Sequence, residues 1–368
     1  MFFKKYFSGL KNFDWILFGS VLLLLCFGLS AIYSIAISSD QPDFINFKKQ
    51  VTFGVIGLVF LFFLSLLNYR LWQDFSYIFY IGSAGLLVAV LFLGRTIKGT
   101  TGWFSFLGIN FQPVELAKVA LIIFLAWFLS KKGQTIVEFK NFILAGMIAG
   151  FYFLLVLLQP DFGSAVILFL IWLLMMIFAG ANKKHLLLLF VGILVAGAIG
   201  WLFLLQDYQK GRILTFLNPQ SDPYGRGYHV RQAVTAVGAG GMLGRGLGFG
   251  SQSQLKFLPA SQTDFIFAVI AEELGFLGVS LVLFFWFLIL YRLVRAAKTV
   301  KDSFALYFIL GVSAMFFCHI IINIGMNIGI VPVTGISLPF LSYGGSFLVT
   351  CLILIGIVEN MVNRNQNS

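Results

Sequence analysis

Most charged residues lie in intervals between apolar runs of roughly twenty residues. Such runs lie near 15–37, 50–68, 73–93, 113–130, 141–159, 161–181, 185–206, 264–290, 303–328 and 345–363. About 20 apolar residues carry a helix across a hydrocarbon core of about 30 Å. A chain that crosses lipid must satisfy its own backbone hydrogen bonds, which a helix does. The pattern therefore predicts an all-α polytopic membrane protein with about ten transmembrane helices, forming a single transmembrane domain over 1–368. The one long polar interval, residues 207–263, separates helices 7 and 8. The first run follows Lys4, Lys5 and Lys11, exceeds the apolar core of a signal peptide and precedes no small-residue cleavage site, so it reads as a retained span.

Composition strengthens this picture. The 368 residues are 60% hydrophobic and 11% charged, where soluble domains carry about 25% charge, and the mean hydropathy is +0.96. The 44 Phe and 38 Gly suit lipid-facing surfaces and close helix contacts. No polar stretch is long enough for a second, soluble domain. Cys26, Cys318 and Cys351 all lie in apolar runs and read as small packing residues.

Basic residues set the orientation. Placing the N-terminus inside puts fourteen Lys and Arg on cytoplasmic segments, against four (Lys48, Lys49, Arg95 and Lys98) in the short outer loops. By the positive-inside rule both termini are cytoplasmic and 207–263 is extracytoplasmic. That loop carries Lys210, Arg212, Arg226, Arg231, Arg245 and Lys256 against Asp207 and Asp222. It reads either as a solvated basic loop or as a site for an anionic ligand such as a pyrophosphate. Nothing in the chain offers a base-reading surface, so no nucleic acid is expected as partner.

Acids at the ends of spans are the sharper clue, because charge in a membrane is costly and marks function by default. Glu115 follows Gln112-Pro113, Asp161 follows Gln159-Pro160, and Asp264 follows Thr263. Proline suits a first helical turn and Thr an N-cap. Each acid thus opens an even-numbered span, the fourth, sixth and eighth, and these all start at the outer face. An acid in a first turn also complements its helix dipole, which is the plainer account, above all for Asp161. Lys118 lies three residues after Glu115 on the same face and needs a partner at that depth. The two form a structural pair or the wall of a polar pocket. Asp264, joining the basic loop to the eighth span, could serve as a general base toward a sugar hydroxyl. Of Glu272 and Glu273, two to three turns deeper, one would seal a cavity floor or meet a basic residue from the cytoplasmic side, and the sequence does not choose between these.

Other signals are weaker. Gly238–Gly250 has the composition of a phosphate-binding loop, but no strand precedes it and no Lys-Ser/Thr ends it, so tight turning or flexible backbone is the better reading. Residues 101–112 look like an amphipathic segment at the outer interface. His185, His229 and His319 lack metal-ligand spacing and read as packed or solvated. The Pro- and Gly-containing stretch 332–345 precludes a regular helix and is placed to dip in and line the same cavity.

Several ordered motifs resemble the SEDS (shape, elongation, division and sporulation) family. They are Phe257–Gly275 with its Thr263-Asp264-Phe265, Gln112–Lys118, Leu217–Pro223 with Gly227–Val230, and Leu338–Gly345. The resemblance runs from the first span to the last. Asn323–Met326, Pro332–Gly335 and Ser251–Phe257 are similar to the elongation branch rather than the division branch. The resemblance implies a ten-helix peptidoglycan glycosyltransferase that polymerises lipid II, an undecaprenyl-pyrophosphate-linked disaccharide peptide, for cell elongation and rod shape. It implies Asp264 as the essential acid, Glu115 and Lys118 in the central cavity, and Asp161 as the family's Gln-Pro-Asp acid. It also implies a class B penicillin-binding protein transpeptidase as partner, together with elongation-complex membrane proteins. Ala260-Ser261-Gln262 departs from the acid and His that many members carry there, which bears on fine substrate contacts.

On this reading Asp264 deprotonates the acceptor, while Arg212, Arg231 and Lys256 hold the departing pyrophosphate, with inversion at the anomeric carbon. The sequence requires no cofactor and points to no metal ligand set; a divalent cation such as Mg or Mn could assist the pyrophosphate. The alternatives are a division-branch polymerase for septal wall, a lipid II transporter (flippase), and a scaffold that recruits a transpeptidase. Placement of the acids at one face rather than at the midplane weighs against transport, and a scaffold leaves Glu115, Lys118 and Asp264 unexplained.

Overall fold

A computed structural model describes residues 13–37, 42–97, 99–106, 109–204, 210–211, 226–255 and 257–366. Ten apolar helices among them carry the predicted spans: α1 (Trp15–Ile37), α2 (Ile45–Leu66), α3 (Ser76–Leu93), α4 (Pro113–Lys132), α5 (Phe139–Leu157), α6 (Phe162–Phe178), α7 (Lys183–Ile199), α8 (Ile266–Thr299), α9 (Ser303–Asn327) and α10 (Gly345–Gln366). Nine are long and apolar enough to cross a membrane, and α6, with 17 residues, is the shorter tenth. The chain is a multi-pass, all-α membrane protein.

Two helices form the centre. Fifteen of the 20 residues of α4 are buried, on every side of the helix, as expected of a helix whose middle, residues 119–129, is apolar all round. It packs against α3, α5, α6, α9 and α10, while α9 also packs on α6 and α8. Pairs α2–α10 and α1–α8 complete the bundle. In contrast, α7 buries none of its residues among the described part of the chain.

Residues 101–112 are where sequence and structure part. Instead of a continuous amphipathic segment, a small antiparallel sheet forms in the order β1 (Arg95–Ile97), β2 (Thr100–Phe106), β3 (Ile109–Phe111). Phe104 pairs with Phe111 and Ser105 with Asn110. Thr100, Thr101, Trp103, Phe104, Ile109 and Phe111 are β-branched or aromatic, which favours a pleated, half-buried surface. The sheet is tied to the bundle where Thr101 N–H donates to the Gln159 carbonyl at 3.3 Å.

The predicted outer loop is not simply solvated. A helix of 14 residues, Arg226–Ala239, packs against α8. Its small face, with Ala233 and Ala236 fully buried, lets the backbones approach closely.

Candidate active site

The geometry starts from the turn before α8. The N–H groups of Thr263, Asp264 and Phe265 all donate to the Ala260 carbonyl, at 3.0, 3.1 and 3.3 Å. Three other elements grip this turn. From α9, the Asn323 and Asn327 amides each donate to the Asp264 carbonyl at 3.1 Å, and Asn323 also donates to the Ile336 carbonyl at 2.7 Å. From the stretch before α10, the Ser342 hydroxyl donates to the Thr263 carbonyl at 2.6 Å and Tyr343 N–H to the Gln262 carbonyl at 2.7 Å. From α2, Asn46 donates to the Gln262 side-chain oxygen at 2.7 Å, while Gln50 both donates to Ser342 and accepts from Gly344 N–H. Buried polar groups inside the bundle must be paired, and here the pairing fixes the backbone that carries Asp264. Asp264 as a residue is half-buried, and its carboxylate borders Gly335, where an added Cβ would stand 3.7 Å from Oδ2.

The stretch 331–344 does dip into the bundle. Leu338 and Leu341 are fully buried, and the Phe340 ring lies 5.5 Å from both Trp286 and Phe316. Ser337 then joins this stretch to the second part of the site. Both Glu115 carboxylate oxygens lie 2.9 Å from Lys118 Nζ, and His319 Nε2 lies 3.3 Å from the same atom. His319 Nδ1 lies 3.0 Å from the Ser337 carbonyl. An ammonium only donates and a carbonyl only accepts, so the neutral ring accepts at Nε2 and donates from Nδ1. Phe347 stacks on His319 at 4.7 Å and lies 5.1 Å beneath Lys118 Nζ.

Asp161 caps its own helix: Oδ1 accepts from Ser164 N–H at 2.9 Å and Oδ2 from the Ser164 hydroxyl at 2.8 Å. It also accepts from Gln112, the residue before α4, at 3.1 Å. The capping account of this acid holds, with a second link to the α4 terminus. Glu272 and Glu273 neither seal a floor nor meet a cytoplasmic-side basic residue. Glu272 accepts the N–H groups of Gln252 and Ser253 at 2.7 and 3.0 Å, capping the single turn Ser251–Gln254. Glu273 Oε1 accepts from Ser34, Gln254 and Gly248 N–H.

The structure thus brings Glu115, Lys118 and the Asp264 turn into one connected network through His319, Ser337 and Asn323, with Asp161 attached through Gln112. Arg231 lies on the exposed face of the 226–239 helix, and Arg212 and Lys256 lie outside the described residues. The sequence reading missed His319, read as a packed or solvated His, and the gripping roles of Asn323 and Asn327. A signal was there: the three are spaced by four residues, which puts them on one stripe of an otherwise apolar helix.

A family of cell cycle proteins, FtsW/RodA/SpoVE, matches residues 14–367. The stage V sporulation protein E of Bacillus subtilis is 39% identical over 350 residues, covering 92% of this chain and 94% of that protein. The peptidoglycan glycosyltransferase MrdB of Escherichia coli is 34% identical over 361 residues, covering 97% and 95%. Among solved structures, the rod shape determining protein RodA of Thermus thermophilus superposes with a TM-score of 0.73 at 29% identity, over 97% of this chain and 98% of that one. A chain from a peptidoglycan synthase complex gives 0.84 at 30% identity, over 97% and 99%.

Proposed function

The chain belongs to the FtsW/RodA/SpoVE family and is a peptidoglycan glycosyltransferase, and we propose that Asp264 is its general base in polymerising lipid II at the outer membrane face. The observation that carries the assignment is the grip of α2, α9 and the 331–344 stretch on one short turn, which supports a carboxylate held for a task rather than a simple helix start. Preorganised acids of this kind are what proton abstraction requires.

In this reading the acceptor 4-hydroxyl attacks the anomeric carbon of the donor. Its proton passes to Asp264, and the bond to the pyrophosphate breaks with inversion. The leaving oxygen takes the electron pair and is neutralised by Arg231, with Arg212 and Lys256 of the same loop. Glu115, Lys118 and Asp161 hold the scaffold beneath. A divalent cation such as Mg or Mn could assist the departing pyrophosphate. Both termini are cytoplasmic. The partner is a class B penicillin-binding protein transpeptidase within the elongation assembly, a reading supported by the likeness to a synthase-complex chain and by the elongation-type wording of Asn323–Met326 and Pro332–Gly335.

Purified protein, with its partner added, is given labelled lipid II in detergent and the products are resolved by gel. Wild type yields long glycan strands. Asp264→Ala and Asp264→Asn yield none while melting at the wild-type temperature. Strands made at the wild-type rate by either variant would overturn the assignment, and wild type that yields no strands but moves lipid II across the bilayer of proteoliposomes would favour a transporter.

A further inference from the structure

At the end of α4 remote from Glu115 and Lys118, a groove of about 650 Å³ opens between α3 and α5, a volume typical of ligand sites. Its walls are aromatic and apolar. Tyr77 meets Trp127 edge-on at 4.5 Å, and Tyr80 stacks on Phe124 at 4.6 Å. Met147 and Ile148 face them from α5. Lys131 and Lys132 stand at the mouth, with Lys132 Nζ 5.7 Å from the Phe128 ring centroid.

The groove is closed at its other end. The Tyr80 hydroxyl donates to the Ile148 carbonyl at 2.7 Å, and the Tyr80 ring stacks on Tyr152 at 4.6 Å, joining α3 to α5. From Phe124 to Lys132 the helix rises about 12 Å, close to the roughly 15 Å hydrocarbon depth of one leaflet. A partner's transmembrane helix, about 10 Å across, would need a groove open through the whole bilayer. An acyl chain of one leaflet needs only this half.

We propose that this groove binds an anionic phospholipid of the cytoplasmic leaflet, its phosphate at Lys131 and Lys132 and one acyl chain along the aromatic floor. The charge at the mouth selects an anionic headgroup, since lysine near a membrane surface attracts acidic lipids. The long lysine stems can reach the headgroup level from the helix end. Along α4 the groove begins about 9 Å from Lys118, at Phe124, and its lysine mouth lies about 21 Å away; its lining shares no residue with the polymerising centre, so the proposal does not rest on that assignment.

The test uses full-length protein in detergent, titrated with dioleoylphosphatidylglycerol or dioleoylphosphatidylcholine and read by native mass spectrometry. Wild type should retain the glycerol lipid over the choline lipid. Lys131→Gln and Lys132→Gln should each weaken that retention about fivefold, and the double variant should lose the preference. Met147→Trp, a change at an exposed position that fills the groove, should reduce retention of both lipids. Equal retention of the two lipids by wild type would overturn the proposal by showing ordinary boundary lipid. A preference that survives the double lysine change or the groove-filling change would overturn it by placing the lipid elsewhere. Retention of chain-free glycerophosphoglycerol as strong as that of the lipid would also overturn it, by reducing the site to an anion contact.

Discussion

Lys118 shows what a single buried charge requires. Only 1% of its surface is exposed, and its ammonium lies within hydrogen-bond reach of Glu115 and His319, with the Phe347 ring 5.1 Å away. Removing one partner of a buried pair leaves the other uncompensated and costs about 3–5 kcal/mol, whereas replacing both by neutral groups of similar shape is nearly neutral. Lys118→Met should therefore lower stability by about that amount, and Glu115→Gln/Lys118→Met should recover most of it; thermal unfolding in detergent measures both. Equal destabilisation by the single and double changes would mean that the charges are not coupled. This pair was legible in the sequence because a lysine three residues from an acid, inside an apolar run, has few other solutions. His319 was not, since one histidine without a spaced partner looks the same whether it packs or bridges. Its role depends on Ser337, 18 residues away across an irregular stretch whose path no local pattern fixes.

At the scale of elements, α8 is two helices spliced by another part of the chain. Gly275 has φ +63° and ψ −163° and breaks the helical hydrogen bonding, leaving donors and acceptors on both sides without helical partners. The Gly-rich loop supplies them. Arg245 and Gly246 N–H donate to the carbonyls of Glu272 and Glu273, at 3.0 and 2.9 Å, and the N–H groups of Phe276 and Leu277 donate to Gly241 and Met242, at 2.9 and 3.1 Å. Contact this close between backbones excludes side chains: a Cβ on Gly244 would lie 2.2 Å from the Glu273 carbonyl oxygen. Glu272 and Glu273 then tie the following turn to the same place. Gly275→Ala combines a backbone conformation nearly restricted to glycine, costing about 1–3 kcal/mol, with a Cβ 2.2 Å from the Gly244 nitrogen. It should lower the melting temperature and speed amide exchange across 240–254. Gly82→Ala in α3, with nothing within 4 Å of the new Cβ, should be neutral or stabilising by up to about 1 kcal/mol. If Gly275→Ala melts as wild type does, the splice contributes nothing. The sequence showed that glycines cluster at 238–250 and that two acids lie inside a span. It did not show that each explains the other, because the two stretches meet only once the 226–239 helix has folded back on α8.

For the whole molecule, the ten apolar runs carried nearly all of the fold, since length and hydropathy decide what can cross a bilayer. The small sheet escaped, being too short for period-two alternation to stand out within an apolar stretch, as did the 226–239 helix inside the polar interval and the break of α8 at Gly275. The two ends of the bundle differ in kind. One gathers Glu115, Asp161 and the Asp264 turn. The other holds Asp14, whose carboxylate meets Arg292 at 2.5 Å and whose N–H donates to Glu359 at 3.0 Å, with Asn360 bridging Ser65 and Tyr69 nearby. On the topology proposed above, with an even number of spans and the basic loops at this second end, the positive-inside rule would turn it toward the cytoplasm. Two exposed positions separate the ends, Pro42 between α1 and α2 and Gln134 between α4 and α5. With Cys26, Cys318 and Cys351 replaced by alanine, Pro42→Cys should react with a membrane-impermeant maleimide on intact spheroplasts, and Gln134→Cys only after the membrane is opened. The reverse pattern would put Asp264 and its loop in the cytosol, away from any extracytoplasmic glycan, and the polymerase assignment would fall with the topology.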